Sequence, residues 1–146
     1  MARDLGGGPL PLEAFDAVLP AIEVVETRLA DFGGSDPLAQ LAALQSHGAL
    51  VLGDASPLPP ARLDLREVEA VLRFDGRVVA QTRGGNPAAD IWRLLEWLAA
   101  HCAARGLPLR AGQVVTTGSL TGMLFAAEDA QVEATLAGIG TVRLSF

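Results

Sequence analysis

A chain of 146 residues, half of them apolar, is long enough to form one domain around a hydrophobic core. Its net charge of −6 argues against a nucleic-acid or anionic-membrane partner, because both need clustered cations. All 11 basic residues are arginines and tyrosine is absent, which excludes a Schiff-base lysine, a lysine general base and a tyrosine acid within this chain.

The cellular compartment is predicted from the single cysteine and from the apolar segments. Cys102 has no internal disulfide partner, lies on an apolar helical face and is expected to be an inert buried thiol. The longest apolar helical stretch, residues 92–104, is too short to span a bilayer, and residues 1–10 lack the apolar core of a signal peptide. We therefore expect a cytoplasmic protein without membrane contact.

The first predicted elements are a loop, a short helix and a strand. Glycines and prolines predict a loop over residues 3–11. Apolar residues at helical spacing predict a helix over 12–19, which Pro20 ends. Residues 21–29 are rich in β-branched side chains and favour a strand.

Glu23 lies within this apolar strand and needs a physical reason to be there. Strand alternation places it on the same face as Val25 and Thr27, so its surroundings are expected to be partly enclosed. An isolated buried carboxylate is costly unless it is paired or bound to a cation. Three interpretations remain open: a solvated face, a salt bridge to an arginine, or a metal ligand.

A helix, a strand and a hairpin are predicted for the middle of the chain. Pro37 opens a short helix for which Asp36 is available as the N-cap. The glycine-bounded sequence GALVLGD, residues 48–54, predicts a buried strand. An Asp-Gly dipeptide at residues 75–76, between alternating runs, predicts a two-residue hairpin.

The second half contains the longest predicted helix, from Pro87 to a cap at Gly106. Trp92 and Trp97 are expected to pack against protein. The stretch 112–120 is predicted to be a strand that runs into a Gly-Ser turn, and a hairpin around residues 138–140 follows. The apolar stripe of the helix is expected to face the core and consists of Ile91, Leu94, Leu95, Leu98 and Cys102. This pattern is α+β and β-rich, with antiparallel hairpins and one main packing helix.

Seven stretches occur in the same order as in a known superfamily. They are RDL at residue 3, LPAIEVVETRLADF, SHGALVLG, the DLR…VLRFDGRVVAQ hairpin, GNP before the long helix, GLPLRAGQVVTTGSL and GIGTVRLSF. On these stretches the chain resembles the C-terminal part of the fumarylacetoacetate hydrolase superfamily, in its 2-keto-4-pentenoate hydratase and oxalocrotonate decarboxylase branch. The resemblance implies a mixed β-roll or sandwich. Residues 1–146 would then be a single domain, the C-terminal part of a hydratase-like catalytic domain.

The resemblance also implies a divalent cation, Mg²⁺ or Mn²⁺, held by carboxylates, because such hard cations prefer oxygen ligands. In this branch a Glu-x-Glu pair and a third Glu hold it, and Glu23 matches the third position. Ser46 matches the serine of an Asp-Asn-x-Ser motif, and Thr117, Gly118 and Ser119 match a turn at the mouth of the site. These four residues are the substrate contacts that the resemblance implies. The implied reaction is hydration of a 2-hydroxydienoate, through its 2-keto acid form, by a homo-oligomeric enzyme of aromatic catabolism.

Three departures from the family leave other functions open. No Glu-x-Glu pair precedes RDL here, no lysine matches the catalytic lysine, and only Ser46 remains of Asp-Asn-x-Ser. No catalytic residue is therefore assigned, and cation binding by this chain is expected to be weak or absent. A structural role for Ser46 and for the 117–119 turn is equally consistent with the sequence.

The alternative functions follow from the same departures. One is a non-catalytic remnant or interaction subunit of the same fold. The other is that the whole enzyme, of which this chain would be a part, is an acylpyruvase-type C–C hydrolase or a 2-keto acid decarboxylase. We expect the reading frame upstream of Met1 to continue and to encode a Glu-x-Glu pair and a lysine.

Overall fold

The computed structural model describes Met1, residues 10–31 and residues 33–146. Most of the loop predicted over residues 3–11, and with it the RDL stretch, lies outside this part of the chain. The helices and strands of the described residues are β1 (Ala21–Val25), α1 (Pro37–Ala42), β2 (His47–Leu52), β3 (Glu69–Phe74), β4 (Arg77–Arg83), α2 (Ile91–Ala104), β5 (Gln131–Leu136) and β6 (Gly140–Ser145). Three-residue helical turns occur at Leu12–Ala14, Leu44–Ser46 and Pro60–Arg62.

The strands form two antiparallel sheets. β1 pairs with β2, and the larger sheet has the strand order β4-β3-β5-β6. The α+β, β-rich class with antiparallel hairpins and one main helix is confirmed. No helix in the described part of the chain has both the length and the apolar character needed to cross a bilayer.

The predicted turns and the first helix cap are confirmed. At the β3–β4 turn, Asp75 and Gly76 have φ values of 50° and 77°. Two successive positive φ angles match the twist of a two-residue hairpin, and glycine adopts them without strain. The closing hairpin is present as β5–β6. Asp36 caps α1 by accepting a hydrogen bond from the Leu38 N–H.

The main helix, α2, begins later than predicted. The Asn86 side chain accepts a hydrogen bond from the Ala88 N–H, and Ala89 has a φ of 56°, so the chain turns once more before the helix starts. Asp90 then caps α2 by accepting from the Arg93 N–H. The helix therefore starts at Ile91 and not at Pro87.

The predicted apolar stripe of α2 is correct only in part. The core cluster around this helix consists of Leu65, Val68, Ile91, Leu95 and Ile139. Ala99 continues the buried row, whereas Leu94 is exposed and Cys102 is only partly buried. The buried face is thus narrower than predicted and follows an i, i+4, i+8 row.

The two tryptophans differ in their surroundings. Trp92 packs on Phe15, with ring centroids 5.8 Å apart, as predicted. Trp97 is exposed and stacks on the His101 ring at 4.8 Å, so it contacts protein as predicted but does so on the surface of the helix. Its position on the outer face of α2 places it away from the core cluster.

Three predicted elements are shorter or missing. The helix over 12–19 is a single turn at Leu12–Ala14. The strand over 21–29 ends at Val25, and the Thr27 hydroxyl then accepts the Leu29 N–H in a local turn. The stretch 112–120 forms no ladder, because no strand of the described residues lies beside it.

Candidate functional site

Glu23 lies in the middle of β1, opposite Leu50 of β2. Its side chain is 49% exposed, and the His47 Nδ1 atom lies 2.8 Å from its Oε1 atom. Among the described residues no ion pair joins Glu23 to an arginine. The Arg28 guanidinium instead donates to the carbonyl oxygens of His47 and Ala43. The interpretation that Glu23 pairs with an arginine was therefore wrong, since its partner is His47. A half-solvated carboxylate and a metal ligand both remain compatible with this geometry.

A bulge in the β1–β2 ladder brings His47 to Glu23. Val24 pairs with Ala49, but Val25 pairs with His47, so Gly48 is left without a partner. A Cβ atom at Gly48 would lie 2.8 Å from the Glu26 Cβ atom and 2.9 Å from the Val24 carbonyl oxygen, so only glycine fits here.

His47 is the residue that sequence reasoning missed. The spacing of the two histidines matches no metal motif, and a cross-strand contact over 24 residues leaves no local pattern. The available signal was the antiparallel pairing of AIEVV with HGALVL, which brings the two segments side by side.

Ser46 immediately precedes β2 and is only 1% exposed. Its carbonyl oxygen accepts the Glu26 N–H at 2.8 Å, and its N–H donates to the Ala43 carbonyl at 3.0 Å. Leu44, Gln45 and Ser46 have φ values of 55°, 53° and 62°, which is three successive non-glycine residues in the left-handed region. Strained backbone of this kind often occurs at functional sites. A substrate contact by Ser46 stays a prediction.

The turn of Thr117, Gly118 and Ser119 is held by a buried asparagine. The Asn86 Nδ2 atom donates to the Thr117 carbonyl at 2.8 Å. The Ser119 hydroxyl oxygen accepts the Gly122 N–H at 2.9 Å and so closes a local turn. Sequence reasoning missed the role of Asn86, although Asn in a Gly-Asn-Pro sequence is typical of a turn.

The structure brings some of the predicted site residues together and leaves others apart. Glu23 and Ser46 belong to the same two-stranded sheet and its leading turn. No hydrogen bond or ion pair within the described ranges links the 117–119 turn to either of them. The same part of the chain contains no group of three or more His, Cys, Asp or Glu residues that could hold a metal ion. The described residues therefore do not complete a cation site by themselves, and a metal-ligand role for Glu23 stays a prediction.

Comparison with known proteins identifies the family of this fold. Residues 12–146 match the family model described as fumarylacetoacetate (FAA) hydrolase, C-terminal. The chain is 34% identical over 137 residues to a 2-keto-4-pentenoate hydratase of Paraburkholderia xenovorans, covering 92% of this chain and 49% of the relative. It is 30% identical over 141 residues to a 2-hydroxyhexa-2,4-dienoate hydratase of Comamonas testosteroni, covering 92% and 50%.

A solved structure has the same fold. The 4-oxalocrotonate decarboxylase of Pseudomonas putida G7, complexed with magnesium and adipate, superposes with a TM-score of 0.82 at 25% identity, over 97% of this chain and 55% of that one. The same enzyme complexed with calcium and acetate gives a TM-score of 0.79. The chain spans about half the length of the curated relatives it matches. With the family match over residues 12–146, the β-rich fold and the Glu23 strand in place, the chain belongs to the fumarylacetoacetate hydrolase family, in the C-terminal part of its fold.

Proposed function

We propose that this chain is the C-terminal part of a 2-keto-4-pentenoate hydratase-like lyase that acts on a 2-hydroxydienoate or 2-keto acid. The observation that carries the proposal is the half-exposed Glu23 carboxylate on β1, which the resemblance to the hydratase branch implies as a metal ligand. The relatives named as hydratases support the reaction type, and the magnesium and calcium complexes of the decarboxylase support a divalent cation. A cytoplasmic, homo-oligomeric enzyme with a small-molecule substrate remains our prediction.

Glu23 and the 117–119 turn have defined parts in this proposal. Glu23 would be the one carboxylate that this chain contributes to a Mg²⁺ or Mn²⁺ site. A cation bound there supplies Lewis-acid stabilisation of the negative charge that develops on a 2-keto acid oxygen. The N–H groups and the Thr117 hydroxyl of the 117–119 turn would hold the substrate carboxylate. The Ser119 hydroxyl oxygen already accepts a hydrogen bond within its own turn. Ser119 would therefore bind the substrate carboxylate through its backbone N–H.

A second candidate function is a non-catalytic remnant or interaction subunit of the same fold. Two observations favour it: the described residues contain no three-ligand cluster, and the sequence contains no lysine. The decarboxylase and acylpyruvase-type hydrolase reactions remain alternatives within the enzyme class, because they use the same stabilised negative charge.

Mn²⁺ binding by the full chain tests the assignment of Glu23. One carboxylate gives an affinity of about millimolar, far weaker than a complete carboxylate site. We expect Glu23→Gln to abolish this weak binding, as measured by paramagnetic broadening of amide signals near β1. Glu26→Gln is the matched control, because it removes an exposed carboxylate three residues away and is expected to leave binding unchanged. Micromolar binding that survives Glu23→Gln would contradict the assignment and place the cation elsewhere.

A further inference from the structure

The polar partner of the Glu23 carboxylate is an imidazole nitrogen and not another carboxylate. The His47 Nδ1 atom lies 2.8 Å from Glu23 Oε1, and within the described ranges the Glu23 side chain makes no other hydrogen bond or ion pair. Magnesium prefers oxygen ligands, whereas imidazole suits transition ions such as Fe²⁺, Ni²⁺ and Zn²⁺. The donor atoms at this point of the β1–β2 ladder therefore differ from those of an all-carboxylate magnesium site.

The distance between the two atoms suits simultaneous binding of one ion. Imidazole nitrogen and carboxylate oxygen bind a transition ion at about 2.0–2.2 Å, so two neighbouring ligands of one ion lie about 3 Å apart. The 2.8 Å between His47 Nδ1 and Glu23 Oε1 is close to that separation. Without a metal the Nδ1 proton occupies the contact, whereas with the proton on Nε2 the neutral ring offers a lone pair at Nδ1. An ion can therefore replace this proton through side-chain rotation alone.

Solvent reaches both side chains, which leaves room for the other ligands of an ion. The His47 side chain is 40% exposed and the Glu23 side chain 49%. Water or substrate oxygens can therefore complete the coordination. The His47 carbonyl oxygen is already engaged, because the Arg28 guanidinium donates to it at 3.0 Å. With two protein ligands and this positive charge nearby, we expect a modest affinity.

The backbone of the β1–β2 ladder determines that the two donor atoms lie side by side. The bulge at Gly48 shifts the register by one residue, so that the His47 ring lies beside Glu23. On the other side of His47, the Ser46 carbonyl accepts the Glu26 N–H at 2.8 Å. Whenever the ladder is formed, an imidazole nitrogen and a carboxylate oxygen therefore face the same point.

We propose that Glu23 and His47 together bind a divalent transition ion, in the range from Fe²⁺ to Zn²⁺, in preference to Mg²⁺. This rests on the proposed function for the role of Glu23 as a ligand, and it adds His47 as a second ligand and the class of the cation. Glu23 supplies an oxygen and a negative charge, and His47 supplies the nitrogen that discriminates between the ions. The alternative is that His47 only orients Glu23 from outside the coordination sphere.

Titration of the full chain with Co²⁺ and with Mg²⁺, followed by NMR, tests the proposal. Co²⁺ belongs to the transition series, and we expect it to bind at least about tenfold more tightly than Mg²⁺. His47→Gln is expected to weaken Co²⁺ binding by about tenfold and Mg²⁺ binding by less than about twofold, because glutamine still donates to Glu23 but has no imidazole lone pair. His101→Gln removes the other imidazole and is the matched control, with no change expected for either ion.

Glu23→Gln separates a failure of this proposal from a failure of the proposed function. If Co²⁺ binding survives His47→Gln but is lost in Glu23→Gln, Glu23 remains a ligand, His47 only orients it, and the proposal is overturned. If Co²⁺ and Mg²⁺ binding both survive Glu23→Gln, the metal role of Glu23 is wrong as well. Equal affinities of the unmodified chain for the two ions also overturn the proposal.

The His47 ring provides a measurement that needs no variant. Paramagnetic Co²⁺ shifts the protons of a bound imidazole strongly, because the ion is attached directly to the ring. We expect the largest ring-proton shifts at His47 and small ones at His101. Larger shifts at His101 would place the ion on α2 and contradict the proposal.

Discussion

Glu23 and His47 are the two residues on which the candidate site depends. A carboxylate only accepts hydrogen bonds, so the His47 Nδ1 atom, 2.8 Å away, carries the proton of this contact. The contact orients the imidazole ring and engages one Glu23 oxygen. Among the described residues no hydrogen bond reaches the second Glu23 oxygen, which leaves that oxygen available to a cation. Such outer partners commonly orient a metal-binding group.

Glu23→Leu is expected to change which His47 nitrogen carries the proton. A leucine side chain offers no acceptor, so nothing fixes the proton on Nδ1 and the ring shifts toward the form protonated on Nε2. Imidazole ¹⁵N chemical shifts measure the change, and His101, the other of the two histidines, is the internal control. If the His47 shifts are the same in both proteins, the contact does not order the ring.

Among the elements, the turn at Leu44–Ser46 combines strain with a candidate substrate contact. Each of its three residues has a positive φ, which costs about 1–2 kcal/mol for a non-glycine residue. The turn persists because the bonds of Ser46 to Glu26 and Ala43 hold it in front of β2. Its geometry fixes where Ser46 lies relative to the Glu23 strand, which is consistent with strain retained at a site.

Gln45→Gly is expected to stabilise the protein. Glycine adopts a positive φ without penalty but loses more chain entropy on folding, so the free energy of unfolding rises by about 0.5–1 kcal/mol. Gln45→Ala is the matched control: it removes the same exposed side chain and keeps the strain, so no increase is expected. Urea unfolding measures both variants. An equal increase in both would assign the effect to the glutamine side chain and not to the backbone.

For the whole molecule, the central fact is that the chain covers about half of each relative and contributes one candidate metal carboxylate. We therefore predict no measurable hydratase, decarboxylase or acylpyruvase activity for this chain alone. The assay follows the absorbance of a 2-hydroxydienoate or an acylpyruvate in the presence of Mg²⁺, with a boiled sample as control. Turnover above that control would contradict the prediction and would mean that other residues complete the site.

Features that depend on neighbouring residues could be predicted from the sequence, whereas features that depend on contacts between distant residues could not. The β3–β4 hairpin was predictable because Asp75 and Gly76 determine it locally. The stretch 112–120 was predicted as a strand from its β-branched residues, but a strand also needs a partner, and the described residues provide none. The Glu23–His47 contact was not predictable because it depends on a one-residue shift in register at Gly48.

The thin packing of β1 and β2 has a consequence for ligand affinity. Neither strand has a fully buried residue, and a two-stranded ladder alone is only marginally stable in water. Local opening of these strands therefore requires little free energy compared with global unfolding. Part of the binding free energy of any ligand at Glu23 is then used to order the β1–β2 ladder. Occupancy of the site by the ligand is therefore coupled to the order of these two strands. Rigidifying these two strands would tighten binding without altering a single contact to the ligand.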